Sequence, residues 1–297
     1  MRHLISIADL SRDEILEMLK MALKLKEDRK KGIFEEKLKN KTLAMLFELP
    51  STRTRISFEV AMLELGGNAL YLNWNDLQLG RGEPIKDTAR VMSRYVHGIM
   101  IRARKHETIV ELAKFSSIPV INGLSNIEHP CQVLADLLTI YEQKGLNAKI
   151  TWLGDGNNVC NSLILLSAIL GLETVVACPK GYEPSLFSKV LEMNGKIRIE
   201  RDPKKAVRNA DVLYTDVWVS MGQEAEKEKR LRDFRGYEIS EELVMLANDP
   251  IVMHCMPMHR GEEISEEVIE SRNSVIYEQA ENRLHMQKAI LLKFLRY

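Results

Sequence analysis

The stretch KTLAMLFELPSTRTRISFEVAMLELGG, residues 41–67, decides the fold class. It begins with an apolar run that predicts a buried strand, and it continues with apolar residues at helical spacing that end in two glycines. The junction between them, residues 50–55, carries three hydroxyl side chains and two arginines. Because positive charge at a helix N-terminus opposes the backbone dipole, the junction predicts a site for an anion.

A strand that leads into an amphipathic helix recurs along the whole chain. Before the first strand, residues 10–28 predict a helix in which Ser11 and Glu14 form a capping box. The further predicted strands are residues 68–74, 98–103, 118–123, 149–156, 173–179, 211–218 and 250–257. The further predicted helices are residues 87–96, 106–116, 130–145, 158–171, 183–195, 240–248 and 280–297. This alternation predicts an α/β protein with two doubly wound parallel-sheet domains and a cleft between them.

Length and charge narrow the function classes. The 297 residues are enough for two domains that each bury a core, and Lys144-Gly145 is the predicted boundary. Forty-two basic and forty-two acidic side chains cancel, so neither nucleic acid nor an anionic membrane surface is an expected partner. The apolar runs are too short to span a bilayer. Because the net charge is zero, any anion site has to be formed by a local group of residues.

The four cysteines indicate a reducing compartment. Cys131, Cys160, Cys178 and Cys255 lack CxxC spacing, and no secretory signal pattern precedes them, so a cytoplasmic location is expected. His254, Cys255 and His259 lack the second ligand pair of a structural zinc site, and no metal is expected. The thiol of Cys255 remains open to a role as nucleophile, ligand or packing group.

Four polar clusters fall where predicted strands end. They are STRTR at 51–55, HPCQ at 129–132, DVWVSMG at 216–222 and HCMP at 254–257. Open parallel sheets bind ligands at the carboxyl ends of their strands, so these clusters are the candidate site. The free amides, hydroxyls and guanidinium groups of STRTR suit a phosphate, although an ordinary helix cap with two surface arginines is the alternative.

The remaining polar residues leave their roles open. His129 and Gln132 could hold a small planar polar group or simply open a helix, and Arg102 could be a solvated strand-end charge. Asp216 could hold an ammonium group. The charge-dense segment EAEKEKRLRDFRG, residues 224–236, is either a solvated mobile loop or a lid.

The turn LGDGNNV, residues 153–159, only partly matches a dinucleotide-binding fingerprint. Val159 stands in place of the third glycine, and the next strand ends in Cys-Pro without the acidic residue that would hold a ribose. A dehydrogenase is therefore disfavoured. Asn157 and Asn158 could cap the following helix or hold a carboxylate.

Taken together, STRTR, HPCQ, DVWVSMGQE and HCMP, in this order, resemble the aspartate/ornithine carbamoyltransferase family. The last two motifs resemble its ornithine branch. The segments INGLSN, LGDGNN, PKGYEP and AENR extend the likeness through essentially the whole chain. The resemblance implies transfer of a carbamoyl group from carbamoyl phosphate to the δ-amine of L-ornithine, a reaction of arginine metabolism, with no cofactor.

The resemblance also implies which residues bind carbamoyl phosphate. Residues 51–54 are expected to hold its phosphate, and Arg102, His129 and Gln132 to surround the carbamoyl oxygen and amine. The full expected set is Ser51, Thr52, Arg53, Thr54, Gln78, Arg102, His129, Pro130, Cys131, Gln132, Cys255, Met256 and Arg283.

A second set is expected on the amino-acid side. The ornithine-binding positions implied by the resemblance are Asn158, Asp216, Ser220 and Met221. The residues implied to carry the chemistry are Cys255, Arg102 and His129. Residues 1–145 would bind carbamoyl phosphate, residues 146–279 would bind ornithine, and the helix of residues 280–297 would return to the first domain.

The family also implies an assembly. Gln78 in DLQLG matches a family residue that reaches into the site of a neighbouring subunit, which implies a homotrimer or a multiple of trimers.

Two departures from the family pattern and two alternatives remain. Pro50 stands where ornithine enzymes commonly have a basic residue, and Met256 replaces the leucine of HCLP. Aspartate, putrescine or an acylated ornithine are alternative acceptors, and a non-catalytic binding subunit is the alternative from another class. Cys255, where aspartate enzymes resemble HPLP, and Ser220-Met221-Gly222 favour ornithine.

Overall fold

The protein, for which we describe a computed structural model, is characterised over residues 2–220, 222 and 224–296. The chain divides into two compact units, Met1–Leu138 with Glu281–Tyr297, and Thr139–Ala280. The sequence placed a boundary at Lys144-Gly145, after a helix, whereas the two compact units divide inside that helix.

The first unit is built on a four-stranded parallel sheet. Its elements are α1 (Arg12–Lys30), β1 (Thr42–Phe47), α2 (Thr52–Glu64), β2 (Asn68–Asn73), α3 (Ile85–Tyr95), β3 (Gly98–Arg102), α4 (His106–Phe115), β4 (Val120–Leu124) and α5 (Pro130–Lys144). The strand order is β2-β1-β3-β4, so the chain goes from β1 to one side and later returns to the other. This change of direction makes the carboxyl ends of β1 and β3 a topological switch point.

The second unit is built on a five-stranded parallel sheet. Its elements are β5 (Ile150–Leu153), α6 (Asn158–Leu170), β6 (Thr174–Ala177), α7 (Phe187–Glu192), β7 (Ile197–Glu200), α8 (Pro203–Ala206), β8 (Val212–Thr215), α9 (Lys227–Asp233), α10 (Glu241–Leu246), β9 (Ile251–His254) and α11 (Glu266–Ile269), and α12 (Ile276–Leu295) begins here. The order is β7-β6-β5-β8-β9, and the switch point lies beside β5. The predicted α/β class with two parallel sheets is confirmed.

Most elements lie where periodicity placed them, and the exceptions have physical reasons. Ser11 and Glu14 form the predicted capping box. Strand β7 was not predicted, because it is an edge strand of alternating charged residues with only Ile197 fully buried. The charge-dense segment forms helix α9 rather than a loop, with the Arg230 side chain buried. In the described part of the chain, no helix is long and apolar enough to cross a membrane.

Candidate active site

The N-terminus of α2 lies directly after β1 and is capped by Ser51. The backbone of Ser51 is extended, and its hydroxyl accepts a hydrogen bond from the Thr54 amide at 3.3 Å. The first turn of a helix leaves amide groups without intrahelical partners, and these amides favour an anion. The capping alternative considered for this motif is therefore correct for Ser51, and it is compatible with an anion site.

The two arginines of the motif differ in their surroundings. Arg55 stacks on the Tyr71 ring at 3.8 Å and lies 3.8 Å from Glu59, so it joins α2 to the edge strand β2. Arg53 is partly buried, and among the described residues its guanidinium group has no hydrogen bond or ion pair. Arg53 is thus the arginine that remains available to an anion, while Thr52 beside it is exposed.

Two further cationic groups lie buried in the first unit. Arg102 is the last residue of β3 and pairs in register with Phe47, the last residue of β1. Arg283 in α12 donates hydrogen bonds to the Thr54 hydroxyl at 3.0 Å and to the Gln132 carbonyl. All of these polar side chains are at most 7 % exposed. Residues from β3, α2, α5 and α12 therefore form one buried, positively charged cluster.

His129 is the buried imidazole beside this cluster. Burial holds the pKa of His129 well below its usual value, and the guanidinium groups of Arg283 and Arg102 lower it further. The ring is consequently neutral near pH 7. A neutral imidazole carries one N–H donor, which can bind a carbonyl oxygen without adding charge.

The other predicted residues of the first unit are placed differently. Pro130 begins α5, and the fully buried thiol of Cys131 donates to the Asn122 carbonyl at 3.3 Å. Burial raises the pKa of Cys131 to about 12, so it stays protonated. Gln132 also donates to Asp136 at 2.8 Å. Gln78 is exposed, on the segment that follows the edge strand β2.

In the second unit, the turn between β5 and α6 resolves the roles of its two asparagines. The Asn157 side-chain oxygen accepts from the Val159 and Cys160 amides, so Asn157 is the cap, and its amide group donates to Asp216 at 2.7 Å. Asn158 is the first residue of α6 and is partly buried.

The turn requires glycine at position 156 for a reason that does not involve a nucleotide. A Cβ atom on Gly156 would lie 2.2 Å from the backbone nitrogen of Pro184. The Gly156 amide also donates to the Tyr182 carbonyl at 2.9 Å. Gly156 therefore allows two backbone segments to approach each other, which explains an incomplete dinucleotide fingerprint.

Asp216 and Cys255 come together at the ends of neighbouring strands β8 and β9. The carboxylate of Asp216, the thiol of Cys255 and a ring nitrogen of His254 all lie within 4.8 Å of one another. Asp216 is buried, whereas Cys255 is the one cysteine of the four that is partly exposed. In its thiolate form, an accessible cysteine beside a buried carboxylate can accept a proton from an amine.

His254 holds the turn that carries Cys255. Its Nδ1 accepts from the Met256 amide at 2.9 Å, so the proton is on Nε2, which donates to Glu263 Oε1 at 2.9 Å. Met256 has a φ of 57°, a left-handed conformation that this hydrogen bond helps to hold. The sequence did not predict that His254 and Glu263 hold this turn, because the two residues are separated by a loop without a recognisable motif.

The segment before Ser220 is anchored by Arg230. Its guanidinium group donates to the Asp155 carboxylate at 3.0 Å and to the Trp218 carbonyl at 3.1 Å. Burial raises the pKa of Asp155, and Arg230 opposes that rise. Ser220 is partly buried, and the predicted ornithine-binding residue Met221 lies outside the described residues. Arg230 was hidden in the sequence within a run of surface charges.

Comparison with known proteins matches both halves of the chain to domains of the same family. The family model described as aspartate/ornithine carbamoyltransferase, carbamoyl-P binding domain, matches residues 2–142, and the Asp/Orn binding domain matches residues 146–294. Ornithine carbamoyltransferase of Archaeoglobus fulgidus is 62% identical over 300 residues, which cover 99% of this chain and 98% of that protein.

Solved structures of the same family also resemble this chain. The ornithine carbamoyltransferase from Pyrococcus furiosus superimposes with a TM-score of 0.94 and 51% identity, over 99% of this chain and 97% of that one. The anabolic ornithine carbamoyltransferase from Campylobacter jejuni gives a TM-score of 0.93 and 45% identity, over 99% of each chain. Together with the polar clusters at the carboxyl ends of both sheets, these matches establish that the chain belongs to the aspartate/ornithine carbamoyltransferase family.

Proposed function

We propose that this protein transfers the carbamoyl group of carbamoyl phosphate to the δ-amine of L-ornithine, giving L-citrulline and phosphate. The observation that carries the choice of acceptor is the pair formed by the partly exposed Cys255 thiol and the buried Asp216 carboxylate. The relatives named above, which are ornithine carbamoyltransferases over nearly their full lengths, support the same acceptor.

Carbamoyl phosphate is a small dianion, and the first unit offers it a positively charged site. The first-turn amides of α2, the hydroxyls of Ser51 and Thr52, and the guanidinium group of Arg53 bind the phosphate, while Thr54 also belongs to this binding segment. Arg283, which donates to Thr54 and Gln132, holds these groups in place. Residues 1–145 and the final helix thus bind this substrate.

The carbamoyl carbonyl becomes more negative when an amine attacks its carbon. Arg102, His129 and the Thr54 hydroxyl are the donors that stabilise this charge, and the neutral His129 ring supplies an N–H group. The bond between the carbamoyl carbon and the bridging phosphate oxygen then breaks. The phosphate leaves with the electron pair and remains held by Arg53.

Ornithine binds through the second unit, residues 146–279. Asp216 is the counter-ion of its α-ammonium group, Asn158 binds its carboxylate, and Ser220 and Met221 complete the acceptor side. The attacking δ-amine must be neutral, and it loses one further proton after attack. The thiolate form of Cys255, beside Asp216, accepts this proton and becomes the thiol.

Exposed apolar groups on α2 and β2 support a proposal for the assembly. Ile56 and Leu63 on α2 and Leu70 on the edge strand β2 are 55%, 60% and 47% exposed. An apolar surface of this kind favours association between subunits, and we propose a homotrimer, or a multiple of trimers, in which Gln78 reaches a neighbouring site. Light scattering should give a mass that is a multiple of three chains, and a monomer would contradict this assembly.

We also propose a cytoplasmic location. All four cysteines are free thiols, which suits a reducing compartment. In the cell the enzyme would serve arginine metabolism. Steady-state rates measured toward citrulline and toward phosphorolysis of citrulline will decide the direction that the site favours.

A panel of acceptors tests the function directly. The purified protein is incubated with carbamoyl phosphate and, separately, L-ornithine, L-aspartate, putrescine or N-acetylornithine, and phosphate release is followed. We expect the highest kcat/KM with L-ornithine. A higher value for any other acceptor would overturn the choice of substrate, and no release with any acceptor would favour a non-catalytic subunit.

A further inference from the structure

The loop that follows β9 brings three metal-ligating side chains into one cluster. His259, Glu262 and Glu263 each place a ligand atom within 4.8 Å of the other two. The Nδ1 atom of His259 lies 3.7 Å from Glu262 Oε2 and 3.7 Å from Glu263 Oε2. The proposed transfer reaction uses none of these three groups to contact substrate.

Glu263 is the unusual member of this cluster. Its side chain is completely buried, and its Oε1 accepts from His254 Nε2 at 2.9 Å and from the His259 amide at 2.6 Å. Its Oε2 is buried and accepts no hydrogen bond from any group in the described part of the chain. A buried carboxylate oxygen without a partner is unfavourable, and this one faces the His259 ring.

The surroundings leave the cluster negatively charged and open on one side. The Lys227 ammonium group is 3.5 Å from the other oxygen of Glu262, Oε1. Arg260 binds Glu266 and Glu270 instead of the cluster. The side chain of His259 is 46% exposed, so an ion can reach it from solvent. Two carboxylates and one imidazole thus face each other with one nearby ammonium group.

We propose that His259, Glu262 and Glu263 bind one divalent transition-metal ion of the Zn²⁺, Co²⁺ or Mn²⁺ type. Imidazole and carboxylate are suitable ligands for these ions, and solvent fills the remaining positions. Tetrahedral ligands at about 2.0–2.2 Å from zinc lie roughly 3.3–3.6 Å apart, so the observed 3.7 Å separations need only small movements.

This site is distinct from the cluster of Asp216, His254 and Cys255. Both ring nitrogens of His254 are engaged, because Nδ1 accepts from the Met256 amide and Nε2 donates to Glu263. A metal on Glu263 Oε2 leaves these two hydrogen bonds intact. It would tie the loop of residues 257–263 to the turn that carries Cys255.

Cobalt titration of the full-length protein tests the site. Co²⁺ bound by nitrogen and oxygen gives visible d–d bands, whereas a thiolate ligand adds a sulfur-to-cobalt charge-transfer band in the near ultraviolet. Titrations are run on the unmodified protein, His259→Gln, Glu262→Gln and Cys255→Ser. Glu266→Gln is the matched control, because Glu266 is a nearby exposed carboxylate outside the cluster.

We expect d–d bands without a charge-transfer band in the unmodified protein, Cys255→Ser and Glu266→Gln. His259→Gln and Glu262→Gln should each weaken Co²⁺ binding by at least about tenfold, since even loss of an outer partner of a metal ligand does so. The melting temperature should rise with Co²⁺ wherever the bands form.

Two results would overturn the proposal. One is the absence of Co²⁺ bands in the unmodified protein at millimolar metal. The other is a charge-transfer band that disappears in Cys255→Ser and persists in His259→Gln, which would place the ion at the thiol. The binding readout does not depend on the proposed reaction, so the acceptor panel and this titration can fail separately.

Discussion

The candidate sites of the two units are built from opposite kinds of group. In the first unit, buried guanidinium groups of Arg102 and Arg283 flank a neutral imidazole, and a helix N-terminus adds further donors. In the second unit, a buried carboxylate, Asp216, stands beside an amide side chain and a partly exposed thiol, Cys255. The first arrangement complements a dianion, and the second complements an amino acid with ammonium groups.

The same sheet geometry accommodates both arrangements. In each unit, part of the site lies at the ends of two strands that are neighbours at a switch point, β1 and β3 in one and β5 and β8 in the other, while His129 and Cys255 follow the next strands, β4 and β9. What differs is the side chain that each strand end presents. The residues at these strand ends therefore determine the chemistry, and the scaffold only brings them close together.

The largest expected effect separates the two arginines of the STRTR motif. Arg53→Ala should lower kcat/KM for carbamoyl phosphate roughly a thousandfold, because it removes a charged donor from the reacting anion. Arg55→Ala is the matched control, since Arg55 stacks on Tyr71, and it should stay within a few-fold of the unmodified enzyme. Similar losses in both variants, measured by steady-state kinetics, would refute the distinction.

The next effect concerns the stability of the second unit. Arg230→Met should lower the free energy of unfolding by about 3 kcal/mol, because it leaves the Asp155 carboxylate buried without its cation. The double variant Asp155→Asn/Arg230→Met should recover part of the loss. Denaturant titrations measure both values. A single variant as stable as the unmodified protein would show that this ion pair does not anchor the segment before Ser220.

A third test asks whether the thiol belongs to the acceptor side. Cys255→Ala should lower kcat/KM for ornithine roughly a hundredfold if Cys255 accepts the proton that the amine loses. Binding of carbamoyl phosphate, measured by calorimetry, should change much less. An equal loss for both ligands would contradict the assignment of Cys255 to the second substrate.

The smallest expected effect is a pH dependence of the folding stability, caused by His129 in the first unit. Because burial lowers the pKa of His129, the unfolded chain takes up a proton below about pH 6.5 that the folded protein resists. Stability should therefore fall as the pH decreases from 6.5, by up to about 1.4 kcal/mol per pH unit for this group. His129→Asn should show a shallower decrease in denaturant titrations. Identical slopes in the two proteins would show that His129 is not held neutral by the fold.

The sequence was sufficient for those features that depend on neighbouring residues. Most strands, the longer helices and the Ser11 capping box follow from local periodicity and local hydrogen bonds. The polar clusters were recognised because each lies at or shortly after the end of a strand, and chain order alone brings STRTR next to β1. The choice between Asn157 and Asn158 as the cap needed coordinates, since both side chains stand at the same helix start.

Long-range partners could not be read from the sequence. Arg283 contacts Thr54 across 229 residues, and Arg230 contacts Asp155 across 75 residues. Nothing in the local pattern distinguishes Arg230 from the other charges of its segment, because its burial depends on where α9 packs. The pairing of His254 with Glu263 likewise depends on the path of a loop.

The close approach at Gly156 has a consequence for variation at this turn. An alanine there would require the backbone around Pro184 to move, since its Cβ atom would otherwise lie 2.2 Å from the Pro184 nitrogen. Such a shift would displace Asn157, which caps α6 and holds Asp216. Gly156 thus tolerates no side chain, because the displacement caused by one methyl group would reach Asp216, the proposed counter-ion of the amino acid.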